Sequence, residues 1–233
     1  MIDVRTISFL KAIKRKMRIL RQMTVKPTTW KELLESPKRA LYAGTISRPD
    51  QYPGYIGLDP FMNMKNHIRH DVTLPMPIPD NTLDLYQSED VFEHVPLKDV
   101  QNILNEIHRV LKPGGLLRVS LPDYRFDGYV QRSVKSDDGK ICFDPGGGGN
   151  YLNGKVVDGG HLWFPLFEIV RDLFKQSNFE DSKVSFLHYN DSNGNSVTNP
   201  IDYSLGFVLR TPDHDKRAQN PYRAMSIVVD AKK

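Results

Sequence analysis

The chain has 233 residues, 39% hydrophobic and 26% charged, a composition typical of a soluble globular domain, and no apolar run approaches the ~18 residues of a membrane span. A single cysteine, Cys142, excludes an internal disulfide and a cysteine-built zinc cluster, so a reducing, cytoplasmic setting is expected. The formal charge of +4 is unevenly placed: Arg5, Lys11, Lys14, Arg15, Lys16, Arg18 and Arg21 share one segment with no Asp or Glu, so the pI of 9.0 is weak support for a nucleic-acid partner.

Ile7, Leu10, Ile13, Met17 and Leu20 recur at three- and four-residue intervals and predict a leading amphipathic helix with a basic opposite face. Such a helix either packs on the domain or rests on an anionic membrane surface. Residues 1–37 are accordingly read as this helix and a linker, with a short helical piece at 30–34, and 38–233 as one domain. Strands are predicted at 40–43, 55–58, 67–69 and 83–87. A helix with the stripe Val100, Ile103, Leu104, Ile107, Val110 and Leu111 follows, stopped by Pro113-Gly114-Gly115. The next strand is 116–121, and strand, helix, strand in that order implies a right-handed parallel crossover. Residues 124–160 read as an irregular insertion or lid, after which a helix at 166–174 and strands at 184–187 and 226–231 complete the chain.

Gly44, Asp59 and Asp71 stand at the carboxyl ends of three predicted strands, the edge where open parallel sheets bind ligands. A carboxylate closing the second strand is placed to accept both hydroxyls of a nucleoside ribose. Taken alone, Asp59 fits a nicotinamide cofactor equally well, or simply caps a turn.

The stretch from Asp84 to Asp123, DLYQSEDVFEHVPLKDVQNILNEIHRVLKPGGLLRVSLPD, is more specific. With Tyr52-Pro-Gly-Tyr-Ile-Gly-Leu-Asp59, His70-Asp71-Val72 and Pro79-Asp80-Asn81 before it, the chain resembles the class I S-adenosylmethionine-dependent methyltransferases, in a compact subgroup associated with glycan biosynthesis. The resemblance implies an α/β, Rossmann-like sheet, mostly parallel with an antiparallel terminal strand and shortened early crossovers. It also implies S-adenosylmethionine as cofactor. Ala43 and Gly44 would lie beside its carboxypropyl chain, Asp59 on the ribose, Asp71 and Val72 at the adenine, and Ser88, Glu89 and Asp90 along the methionine part. Where the family shows a Gly-x-Gly cluster, this chain has one glycine, in Ala43-Gly44-Thr45-Ile46-Ser47.

Methyl transfer to a hydroxyl needs a base as well as alignment. The candidates are His161 and Asp123 as an acceptor-side pair, with His94 as a third. Tyr124, Phe126, Tyr129, Trp163 and Phe164 are candidates for stacking on sugar faces or for plain packing. Gly146 to Gly149 lacks a following Lys-Ser/Thr and is no phosphate loop. His67 and His70 have no third ligand near them, so no metal is expected. The leading expectation is an O-methyltransferase acting on a small polar acceptor, a sugar or glycan first, with possible membrane or glycosyltransferase contact through residues 5–23 and no DNA partner. A degenerate fold kept as a binding or scaffold module is the alternative, motivated by the eroded glycine motif. An RNA methyltransferase would want its basic residues on the acceptor face rather than in the leading helix.

Overall fold

Alternation of side chains along the central strands sets the architecture. In β1 (Ala40–Ala43) all four residues are buried, with Leu41 and Ala43 in one apolar cluster and Ala40 and Tyr42 in another, as period-two geometry dictates for a strand covered on both faces. The computed structural model describes residues 25–61 and 63–233; the expected basic helix over residues 5–23 lies outside them. Among the described residues no helix is long and apolar enough to cross a membrane.

Helix α1 (Trp30–Glu35) starts on a reciprocal cap, Thr29 accepting from the Glu32 amide while Glu32 accepts from the Thr29 amide. After β1 come β2 (Tyr55–Leu58), β3 (His67–Ile68) and β4 (Leu83–Glu89). Only a short 3-10 turn at Pro49–Gln51 lies between β1 and β2, so the early crossovers are loops, as expected. Helix α2 (Leu97–Val110) buries Val100, Ile103, Leu104, Ile107 and Val110 and leads into β5 (Leu111–Pro122), which pairs parallel to β4.

The helix stops before the expected Pro-Gly-Gly signal. The Thr82 and Asn81 amides take the carbonyls of Val110 and Arg109, and Leu111 already pairs with Leu83. Pro113 to Gly115 instead lie in a bulge of β5, because Leu85 pairs with Leu116, so the chain between two neighbouring pairs is longer on β5 than on β4.

Residues 124–160, expected to be irregular, hold a short helix α3 (Asp127–Arg132) and two hairpins. The first joins β6 (Val134–Lys135) to β7 (Ile141–Phe143), the second β8 (Asn150–Leu152) to β9 (Lys155–Val157). Helix α4 (Phe167–Lys175) and strand β10 (Val184–Asn190) follow. Then come β11 (Ser196–Thr198), which no periodicity announced, and the terminal β12 (Ser226–Lys232).

The main sheet runs β11-β10-β12-β5-β4-β1-β2-β3. Neighbours from β3 to β5 are parallel, whereas β12 is antiparallel to both β5 and β10, and β11 to β10. It is the expected Rossmann-like sheet, with one edge strand more. Order reverses between β1 and β4, so their carboxyl ends flank the crevice where such sheets bind ligands.

The two faces are covered differently. Leu33 of α1, the α2 stripe and Val170 and Phe174 of α4 pack on Leu41, Leu117, Val119, Ile227 and Val229 in the principal core. The other face is closed, among the described residues, by the loop after β1 and by residues 199–225. Ile46, Tyr52 and Phe207 meet Ala40 and Tyr42 there, and Ile201 and Val208 meet Val228. Polar side chains also point to this face. Arg118, 1% exposed, forks onto Asp230 with two bonds of 2.7 Å and donates to the carbonyls of Asp202 and Gly206.

Removing one partner of a buried ion pair leaves the other uncompensated, at a cost of about 3–5 kcal/mol. Arg118→Ala is therefore expected to lower the free energy of urea unfolding by about that amount. A loss below 1 kcal/mol would show that residues 202–206 are not held through this guanidinium.

Candidate active site

The crevice at the ends of β1, β2 and β4 gathers most of the expected cofactor residues. Ala43 is buried and paired with Leu58 and Ser88. Gly44 ends the strand at φ 91°, a left-handed conformation that L side chains resist. A Cβ there would come within 3.1 Å of Val91 Cγ2. Asp59, buried at the end of β2, accepts from the Thr45 hydroxyl at 2.5 Å and the Phe61 amide at 2.8 Å. Ser88 is fully buried, and among the described residues its Oγ has no hydrogen-bond partner.

Beyond Ser88 the chain turns sharply. Asp90 sits at φ 52°, with one carboxylate oxygen 2.9 Å from Arg210 Nε and the other buried without a partner among the described residues. A non-glycine residue held in the left-handed region at a strand end is the kind of local strain found at working sites. Glu89 accepts from Tyr52 Oη (2.6 Å), Gln87 Nε2 (2.8 Å) and the Leu209 amide (3.0 Å). Burial lifts its carboxyl to about 7, against the pull of these donors. Tyr42, Thr45, Arg48, Tyr52, Glu89 and Asp90 line a cavity of about 140 Å³ here.

Asp71 and Val72 stand apart from this cavity. Asp71 is exposed, and its Oδ1 accepts from the amide and hydroxyl of Thr73. Val72 packs against the principal core and lines a separate cavity with Asn102, Glu106 and Arg109. Asp71 and Val72, expected at the adenine, do not line that cavity, although the His70 amide bonds the Asp59 carbonyl and keeps the β3 end beside β2.

The acceptor-side candidates divide. His161 and His94 meet edge to face, ring centroids 4.7 Å apart, but no hydrogen bond links Asp123 to His161. Asp123 is fully buried and accepts from the Asn190 amide (2.7 Å), Asn190 Nδ2 (2.9 Å) and the Arg125 amide (2.9 Å). It ties the end of β5 to the end of β10. The expected His161–Asp123 pair is thus corrected, because strand-end geometry turns that carboxylate towards Asn190.

His161 has other partners. Its Nδ1 lies 2.5 Å from Tyr124 Oη, which donates to Asp144 Oδ2 at 2.6 Å, and Arg132 grips Asp144 with two bonds. Burial opposes the Asp144 charge, yet the Arg132 guanidinium and Tyr124 hydroxyl outweigh it and hold the carboxyl below its ordinary range. Burial first, then the adjacent His94, pushes the His161 imidazole down to about 4, so it is neutral at physiological pH. On its other side, His161 Nε2 is 3.6 Å from Glu93 Oε1. Glu93 is fully buried, and burial followed by the charge of Asp90 raises its carboxyl well above the usual range.

Backbone bonds fix this cluster. The Leu162 amide donates to Glu93 O, Trp163 Nε1 to the carbonyls of Phe92 and Val95, and His94 Nδ1 lies 2.8 Å from Gly159 O. The glycine run has its reason here: a Cβ on Gly147 would lie 2.6 Å from the His161 ring. Tyr124, Phe126, Tyr129 and Trp163 are all buried, so they pack the interior rather than present faces to an acceptor. The sequence missed Arg210, Tyr52, Thr45 and the Tyr124–Asp144–Arg132 relay. It offered a signal for Glu93 alone, in the Glu-His pair.

A family model described as a methyltransferase domain matches residues 54–119, the stretch from the turn before β2 through most of β5. Over this stretch the chain is similar to methyltransferase domains, and its mostly parallel sheet has the Rossmann-like arrangement of the class I methyltransferase fold. The class takes its methyl group from S-adenosylmethionine. No curated protein matches. Among solved structures the chain is similar to an SAM-dependent methyltransferase from Methanosarcina mazei, at 16% identity over 83% of this chain and 91% of that one, TM-score 0.48. A possible histamine N-methyltransferase from Thermotoga maritima shares 16% over 97% of each chain, TM-score 0.46. Phosphoethanolamine N-methyltransferase 2 from Haemonchus contortus, in complex with S-adenosyl-L-methionine, shares 17% over 70% of this chain and 39% of its own, TM-score 0.40.

The donor set suits that cofactor: a buried strand-end carboxylate for a diol, and buried oxygens on Ser88 and Asp90 that are unpartnered among the described residues for polar groups. Thr45 donates to Asp59, so a diol bound to that carboxylate competes with the Thr45 hydroxyl. Thr45→Ala removes a competing hydrogen bond of about 1 kcal/mol and is expected to tighten S-adenosylhomocysteine binding up to about fivefold by calorimetry. Weaker binding would instead make Thr45 a cofactor contact.

Glu89 gives a second expectation. The folded chain holds its proton up to about pH 7, the unfolded chain only to the ordinary 4.5, so between these values the folded state binds more protons and stability falls as pH rises. The loss is complete above about pH 7, at ~3 kcal/mol. Urea unfolding of Glu89→Gln is expected to lack this decline between pH 5 and 8; an unchanged slope would place the titration elsewhere.

Proposed function

We propose that the protein is an S-adenosylmethionine-dependent O-methyltransferase acting on a hydroxyl of a small polar acceptor, with a sugar or glycan as the first class to test. The observation that carries this reading is the cluster of Glu93, His94 and His161 just beyond β4, next to the strand end where the methyl donor is expected. A hydroxyl must lose its proton as the new C–O bond forms, and these are the groups able to assist that loss. An amine acceptor carries its own lone pair once neutral and has less need of them.

The bound sulfonium supplies an activated methyl group; the chain's own residues do the rest. Asp59 orients the nucleoside through its diol, Gly44 lets the backbone turn beside the cofactor, and Asp90, braced by Arg210, borders the reacting end. Acceptor recognition falls to polar groups, since the nearby aromatic rings are enclosed. That favours a polyhydroxylated molecule over a flat apolar one.

A second reading, a methyltransferase fold retained as a binding module, draws support from the Thr45–Asp59 bond. Asp59→Ala separates the two. Under the enzymatic reading the substitution lowers S-adenosylhomocysteine affinity at least 100-fold in calorimetry and abolishes methyl transfer from radiolabelled S-adenosylmethionine to a panel of sugars. If the unaltered chain shows no heat with either cofactor form at millimolar concentration, the enzymatic reading fails.

A further inference from the structure

Hydrogen positions around the Glu93 cluster follow from its partners. His94 Nδ1 faces the Gly159 carbonyl, which only accepts, so Nδ1 carries the proton and Nε2 a bare lone pair. The single Tyr124 hydroxyl proton goes to the Asp144 carboxylate, so the same oxygen accepts from His161 Nδ1. Again Nε2 is left with a lone pair, and it points at Glu93 Oε1. Among the described residues neither Glu93 oxygen has a hydrogen-bond partner, although the residue is fully buried. With Glu93 deprotonated and both rings neutral, the cluster offers three electron-pair donors, one ligand atom of each residue lying within 4.8 Å of the others.

Tautomers fixed by a carbonyl or a hydroxyl–carboxylate relay on the far ring nitrogen are the usual support of metal-binding histidines. An ion bonded at ~2.0–2.1 Å to nitrogen and oxygen keeps neighbouring ligands ~3.3 Å apart in a tetrahedral site. The 3.6 Å between His161 Nε2 and Glu93 Oε1 is close to that.

We propose that Glu93, His94 and His161 form a divalent-metal site, taking an ion of the zinc or cobalt type through one carboxylate and two Nε2 atoms and leaving a position open to the acceptor. Two imidazoles with one carboxylate suit such ions, whereas magnesium and calcium favour all-oxygen sites. Three protein ligands with an open position are the pattern of a catalytic ion. The proposal runs against the expectation of no metal, which weighed only His67 and His70. His67 Nε2 in fact accepts from the Ile46 amide.

The catalytic role of the ion rests on the O-methyl reading above; the binding site does not. In that role the acceptor hydroxyl, bound to the ion, releases its proton to water at a lowered pKa. Its oxygen then takes the methyl carbon as the sulfonium C–S bond breaks and the bonding pair stays on sulfur. His161 and His94 act as ligands rather than as bases.

The test uses the full chain, stripped with chelator, dialysed and titrated with Co²⁺ and Zn²⁺. One equivalent of metal per chain by mass spectrometry, with the visible absorption of low-coordinate cobalt, is the expected result. Glu93→Gln and His161→Gln should each weaken binding at least 100-fold; His94→Ala, at a half-buried ring, keeps the test open if the buried substitutions unfold the chain. No stoichiometric metal in a chain that still binds S-adenosylhomocysteine overturns the site and leaves the methyl-transfer reading standing. Equal metal binding by all folded variants also overturns it. Stoichiometric metal without any S-adenosylhomocysteine binding supports the site and removes its role in methyl transfer.

Discussion

The row of polar contacts that holds residues 202–210 against the sheet is the constraint on which the rest of this molecule depends. On one face, helices bury an apolar stripe and the hydrophobic effect suffices. On the other, the described chain offers loops, whose backbone groups must be satisfied if they are to lie on a sheet. Arg118 supplies two carbonyls with donors, Gln87 donates to the Phe207 carbonyl, Glu89 accepts from the Leu209 amide and Tyr55 donates to the Leu205 carbonyl. One residue further on, Arg210 reaches Asp90. The crevice is thus walled by a loop whose position is set by side chains of β2, β4 and β5.

This explains why the strand end after β4 carries so much buried charge. Glu89, Asp90 and Glu93 lie within a few residues, and burial raises the carboxyl of each. Concentrating acids in a low-dielectric site is unfavourable unless cations or donors compensate. Arg210 does so for Asp90, and three donors do so for Glu89. For Glu93, burial and the neighbouring Asp90 favour the neutral, protonated carboxyl instead.

How far the sequence disclosed this depends on the kind of signal. Strands β1 and β2 were legible to the residue, because short apolar runs bounded by Gly and Asp leave little freedom. The α2 stripe was equally plain, but its end was not: the helix stops where the amides of Asn81 and Thr82 claim its last carbonyls, a long-range event with no local mark. Asp59 and Gly44 were found because strand ends have a recognisable grammar. Arg210 could not be found that way, since residues 199–225 have no period and take their place from contacts with strands far away in the chain. Asp123 misled for a related reason. A carboxylate after a strand looks available for chemistry, and only the three-dimensional neighbour, Asn190, shows that it is spoken for.

The strap that carries His161 has a consequence for how this protein can change. Its backbone is bonded to the turn at Phe92–His94, while the hairpins β6–β7 and β8–β9 form their own small sheets, separate from the main one. Strand β8 and the tip after it are exposed on both sides. The part of the insertion that holds the reactive groups is therefore anchored, and the part that projects is free to vary in sequence and length. Change in residues 150–157 therefore carries little penalty for the bonds that hold His161, which makes this hairpin the variable edge of an otherwise fixed strap.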